Sequence, residues 1–204
     1  MAFWVSYLTY MVLILLAIRN ILGIFFEKRR TSPIVLALSW CLKGCVSAIF
    51  FHLVNIPPLT GLLNLVLLFV LTLNFEGTMK KRAVAIASCY GITVPVELAV
   101  VFFFNLQFTS EEWLVDGLDY IPYPLFFVLG AANFTLSLGL KRFKYIKTST
   151  INSPVLLASS VFIPFVSAFI ALFLASDVSQ LTGIIVALAL FGIIVFSFYF
   201  LDAI

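Results

Sequence analysis

Residues 79–106 read MKKRAVAIASCYGITVPVELAVVFFFNL, three basic residues followed by an apolar run whose one formal charge is Glu97. At 1.5 Å per residue, the part from 83 to 106 extends about 36 Å as a helix, enough to cross a hydrocarbon core of about 30 Å. A transmembrane helix with cations at one mouth is the direct reading. The same pattern repeats in both directions. Apolar stretches lie at 3–26, 33–54, 57–75, 83–106, 120–140, 153–175 and 181–202, separated by short polar connections. Seven spans of about 20 residues occupy about 140 positions, which leaves no room in 204 residues for a separate soluble domain. The expected fold is therefore a single all-α domain over 1–204, a polytopic bundle of seven transmembrane helices.

Composition points the same way. Hydrophobic residues make up 63% of the chain and charged residues 10%, with 23 phenylalanines and a mean hydropathy of +1.19. Soluble domains hold about 45–50% apolar residues, so a water-soluble fold, a disordered chain, a nucleic-acid binder and a disulfide-stapled secreted module are excluded. The net charge of +3 carries less information than where the charges lie. Lys28, Arg29 and Arg30, then Lys80, Lys81 and Arg82, then Lys141, Arg142, Lys144 and Lys147 fill alternate connections. The other connections hold Glu111, Glu112, Asp116, Asp119 and Asp177 and no basic residue. Under the positive-inside rule the basic set faces the cytoplasm, so the N-terminus lies outside and the C-terminus inside a multi-pass protein of the cell membrane. Arg19 lies near enough to the inner flank of the first span to snorkel.

Local signals support these limits. Ser32-Pro33 and Ser153-Pro154 each place a capping hydroxyl before a proline at the first helical position, where its missing N–H costs nothing. The similar strings SPIVLALS and SPVLLASS fit either an internal repeat or shared capping chemistry. Pro95 and Pro164 fall inside spans and are expected to kink them. The first span has its charged flank after it and no small-residue cleavage pattern, unlike a cleaved signal peptide.

Lys43 and Glu97 are the unexpected residues, since a charge near mid-bilayer costs at least about 2.5–3.5 kcal/mol unless shielded or paired. Counted from the inner ends, Lys43 lies about 15 Å deep and Glu97 about 21 Å deep, an offset two long side chains can bridge as an ion pair. Tyr90, Thr93 and Glu97 share one helix face beside Pro95 and form the best candidate pocket wall. Asn64 with Thr60, Asn133 with Ser137, and Ser160 with Ser167 form further polar stripes of the kind that joins helices by hydrogen bonds. The outer connection, with Glu111, Glu112, Trp113 and Asp116, is either an acidic receptor for a cationic or amphipathic ligand or an interfacial segment anchored by its aromatics.

No metal site is expected. His52, the only histidine, shares a face with Cys41 and Cys45, but Cys45 lies two turns away, about 10.5 Å, too far for one tetrahedral zinc. No phosphate loop and no nucleophile with a base at recognisable spacing is found, and Glu111-Glu112 lacks the partners of an intramembrane glutamate protease. No catalytic residue and no cofactor is expected.

One family resemblance follows from the later spans. Phe75-Glu76-Gly77-Thr78-Met79-Lys80-Lys81-Arg82 leading into a span with Glu97, the stretch from Pro154 through Pro164 to Ser167, and the ending Phe198-Tyr199-Phe200-Leu201-Asp202 resemble the membrane sensor region of GHKL-type histidine kinases, the accessory-gene-regulator-like receptors. The resemblance spans about two-thirds of the chain. It implies a sensor module of a bacterial two-component system that binds an extracellular or membrane-borne ligand. In that family the last helix continues into a dimerising helix with the phospho-accepting histidine and an ATP-binding domain. Those functions have no matching residue here, because His52 lies in the second span. The expected partners are the lipid bilayer, a peptide or small-molecule ligand, and a second copy or a partner membrane protein, with no nucleic acid. The competing function is small-molecule transport, for example as the substrate-binding membrane subunit of a vitamin importer, using Tyr90, Thr93 and Glu97.

Overall fold

The computed structural model describes residues 2–54, 57–103, 123–141, 185 and 192. Its elements there are five helices: α1 (Ala2–Phe25), α2 (Pro33–Val54), α3 (Pro57–Thr72), α4 (Met79–Phe103) and α5 (Tyr123–Leu140). Their limits match the first five apolar stretches to within four residues at either end. The sixth and seventh stretches lie outside the described residues, apart from Ile185 and Gly192, both helical.

The helix starts are capped as the sequence requires. The Ser32 hydroxyl accepts from Val35 N–H at 3.4 Å, and the Ser32 carbonyl accepts from Leu36 N–H at 3.1 Å, with Pro33 opening α2. Thr78 plays the same part for α4, accepting from Lys81 N–H at 3.3 Å through its hydroxyl and from Arg82 N–H at 3.1 Å through its carbonyl. Pro95 lies inside α4, which continues past it to Phe103.

Cross-helix contacts fix the directions. Tyr7 stacks on Phe51 at 5.5 Å, and Leu15 Cδ1 lies 3.1 Å from the position a Cβ on Gly44 would take, so α1 and α2 are antiparallel. Ser47 donates to Asn64 at 2.6 Å across the α2–α3 hairpin. The Tyr90 hydroxyl donates to the Gly61 carbonyl at 3.0 Å, and Arg82 reaches the far end of α3, making that pair antiparallel too. Tyr10 meets Phe126 at 5.8 Å and Asn20 donates to Ser137 at 3.0 Å, so α1 and α5 run parallel. The five helices thus alternate in direction along the chain.

α1 occupies the middle, packed on α2, α4 and, most extensively, α5. The approach to α5 is close because Gly130 has no side chain: a Cβ there would come within 3.0 Å of Leu13 and 3.2 Å of the Tyr10 backbone. Small residues at such crossings let helices gain van der Waals contact in a medium where hydrophobic association is weak. The core, which includes Ile21, Leu22, Phe25, Leu68, Leu71, Val84 and Ile92, lies toward the end where α1 and α3 finish and α4 starts.

The outward faces are apolar. Trp4, Val5, Leu8, Val12 and Leu16 of α1 and Ile34, Val35, Leu38, Leu42, Ile49 and Leu53 of α2 are exposed at helical spacing. Water-soluble monomers rarely expose so much contiguous apolar surface. Two helices, over Trp4–Phe25 and Pro33–Leu53, are long and apolar enough to cross a membrane, while Leu59–Thr72 and Pro124–Leu140 are apolar but shorter.

Candidate functional site

Glu97 is only partly exposed on α4, in the turn that follows Pro95. Its carboxylate accepts a hydrogen bond from the Tyr10 hydroxyl of α1 at 3.0 Å. The bond gives a carboxyl group on a largely apolar helix a hydrogen-bond partner. This hydrogen bond adds a polar link to the apolar packing between the central helix and the proline-bearing one.

Above it, toward the start of α1, lies an aromatic cluster. Tyr7 contacts His52 edge-on at 4.8 Å and Phe126 edge-on at 5.7 Å. Trp4 lies 4.6 Å from the His52 ring, and Phe51 lies 5.6 Å from it. Rings from α1, α2 and α5 therefore meet at one end of the bundle. Tyr7 is buried and Trp4 is 53% exposed, so the cluster runs from the interior to the surface.

Below it the remaining polar groups separate. Lys43 is buried on α2, with the Cys89 thiol of α4 as its electrostatic neighbour. Among the described residues Lys43 and Glu97 are not brought together. The ion pair considered from depth alone is replaced by the Tyr10–Glu97 bond. The reason is geometric: Lys43 meets α4 near Cys89, toward the start of that helix. Glu97 lies eight residues beyond Cys89, about 12 Å along α4.

The stripe expected to act as one pocket wall is divided in the same way. Tyr90 bonds sideways to α3, Glu97 bonds to α1, and the Thr93 hydroxyl returns to the Cys89 carbonyl of its own helix at 2.9 Å. Of the stripes read as helix-joining, two reach another helix, Asn64 accepting from Ser47 and Ser137 accepting from Asn20, and Ser160 and Ser167 lie outside the described residues. Asn133 is buried and donates to the Leu129 carbonyl, while its Oδ1 has no partner among the described residues. Glu111, Glu112, Trp113 and Asp116 lie outside the described residues. Among those described, no group of three or more metal-ligating side chains occurs.

The outer side of α5 carries a shallow apolar groove of about 520 Å³, lined by Phe127, Val128, Ala131, Ala132, Thr135 and Leu136. It lies on one helix face and contains none of the polar groups above. Tyr10 and Tyr7 are the site residues that sequence reasoning missed. Two phenols one turn apart inside an otherwise apolar span were the available signal. Compared with known protein families, curated proteins and solved structures, the chain matches none.

Proposed function

We propose that the chain is a seven-helix sensor module of the cell membrane, like the membrane region of a two-component histidine kinase, with its N-terminus outside. Ligand contact at the outer end changes how α1 meets α4. The observation that carries this reading is the Tyr10–Glu97 bond beneath the aromatic cluster. It is one breakable polar contact between the central helix and a helix containing Pro95, placed where an outside ligand arrives first. A signal requires that ligand affinity differ between two helix arrangements, and a ligand group that competes for Glu97 supplies such a difference. Two helices of spanning length, alternating helix directions and apolar outer faces support the membrane placement.

Two experiments test the reading. Reporter fusions after Thr31, Gly77, Phe143 and Ile204 should report the cytoplasm, and fusions after Asn55, Asp116 and Asp177 the outside. For function, the chain joined at its C-terminus to a histidine-kinase core should give autophosphorylation that responds to medium conditioned by the source cells, with the response lost in Glu97→Gln. A response unchanged in that variant rejects the role of Glu97.

Transport is the second reading, favoured by Lys43, a buried cation in an apolar helix. Intramembrane charges commonly mark substrate paths. Uptake by proteoliposomes without any kinase core, abolished in Lys43→Met, would select it.

A further inference from the structure

The end of the bundle where α1 meets the α3–α4 connection is built as a rigid clasp. Arg29 and Phe75 pair as an antiparallel bridge, flanked by Arg30 N–H donating to the Asn74 carbonyl at 2.8 Å and Glu76 N–H donating to the Lys28 carbonyl at 3.1 Å. The Phe26 and Phe75 rings stack at 5.3 Å, and the Lys81 ammonium lies 5.7 Å from the Phe26 ring centre. A Cβ on Gly77 would come within 2.9 Å of that ring, so only glycine lets the turn lie flush against it. Beneath, the buried Arg82 guanidinium donates to the Thr72 and Phe75 carbonyls, closing the end of α3.

This clasp holds like charges together. In the two connections and the first turn of α4, Lys28, Arg29, Arg30, Lys80, Lys81 and Arg82 are accompanied by only Glu27 and Glu76. Glu27 is within electrostatic reach of Lys81, and Arg30 is near enough to Arg82 to repel it. Lys28, Arg29, Arg30 and Lys80 are all exposed. Directly after them α2 sets out with Ile34 72%, Val35 46% and Leu38 63% exposed, an apolar strip on one helix face. A free phosphate would use the cations and leave the strip unused, whereas a phospholipid uses both.

We infer that the clasp is a binding site for an anionic phospholipid of the phosphatidylglycerol class. Its headgroup phosphate lies on Lys28, Arg29, Arg30 and Lys80, and an acyl chain runs along Ile34, Val35 and Leu38. The inference rests on the membrane placement proposed above. Unlike a juxtamembrane basic tail, which attracts anionic lipid diffusely, this site depends on the geometry of the stitched loops as well as on charge.

The test uses the purified full chain in uncharged maltoside detergent, titrated with dioleoyl phosphatidylglycerol or dioleoyl phosphatidylcholine, with bound lipid counted by native mass spectrometry. The expected result is preferential retention of phosphatidylglycerol, reduced by high potassium chloride. The exposed triple variant Lys28→Gln, Arg29→Gln, Arg30→Gln should weaken it about fivefold per charge removed, with phosphatidylcholine retention unchanged. Phe75→Ala keeps every charge but loosens the loops, and it should also reduce the preference. Undiminished retention in either variant, or displacement of the lipid by equimolar inorganic phosphate, overturns the inference. Reporter-fusion topology is independent of these outcomes, so a failure here is distinct from a failure of the membrane reading.

Discussion

The two ends of the bundle are held by different chemistry. At the clasp most bonds end on backbone carbonyls, as with Arg82 on Thr72 and Phe75 and Glu76 N–H on Lys28, and the rings there stack on each other. Toward the other end, α1 meets its neighbours through side chains, Tyr10 on Glu97 and Tyr7 among His52, Phe51 and Phe126, while Tyr90 of α4 bonds the Gly61 carbonyl of α3. Backbone acceptors cannot turn away, whereas a side chain can change partner by changing rotamer. One end therefore joins its connections through fixed acceptors, and the other links α1 to α4 through a bond between two side chains.

The sharpest way to break this contrast is at Gly130, where the half of the bundle away from the clasp depends on shape rather than on polar partners. Gly130→Leu forces a side chain into Leu13 and the Tyr10 backbone and should cost about 3 kcal/mol or more, measured by unfolding in mixed detergent. If stability is unchanged, the close α1–α5 approach is not a determinant of the fold. At the clasp, Arg82→Met strands two carbonyls at the end of α3 and should cost about 2–3 kcal/mol in the same assay, with no loss of the ligand response. Tyr10→Phe should cost only about 0.6–1.7 kcal/mol, the range for hydrogen bonds between membrane helices, yet should alter the response. The Tyr10→Phe and Arg82→Met effects should add within about 0.5 kcal/mol, because about 22 Å of α4 separates Glu97 from Arg82. Marked non-additivity would mean that the ends are one unit. Smallest of all, Gly139→Ala meets nothing within 4 Å and should stabilise by up to about 1 kcal/mol through helix propensity.

Helix limits were legible in the sequence because each depends on local chemistry. Ser32-Pro33 carries its cap within three residues, and the apolar runs carry their own lengths, whereas the Thr78 cap starts α4 four residues before the apolar run does. Pairing was not legible, because depth gives one coordinate of a residue and the order of helices around the bundle gives another. Lys43 and Glu97 have depths that look bridgeable in one dimension, but Lys43 meets α4 near Cys89, eight residues short of Glu97. Tyr10 was overlooked because a phenol in an apolar run reads as an aromatic until a carboxylate is found opposite it. The bridge at Arg29 and Phe75 joins two connections whose basic and aromatic residues read, in one dimension, only as flanks of separate spans.

The parallel seam between α1 and α5 bears on biosynthesis. The two surfaces that meet at Leu13 and Gly130 are separated by more than a hundred positions in the chain. During translation the first helix emerges long before its chief partner exists. Until then its face bearing Asn20 and Tyr10 must be covered by something other than α5. The last of the five helices to be synthesised therefore locks the first in place, and a ribosome stalled before residue 123 leaves the protein without its keystone.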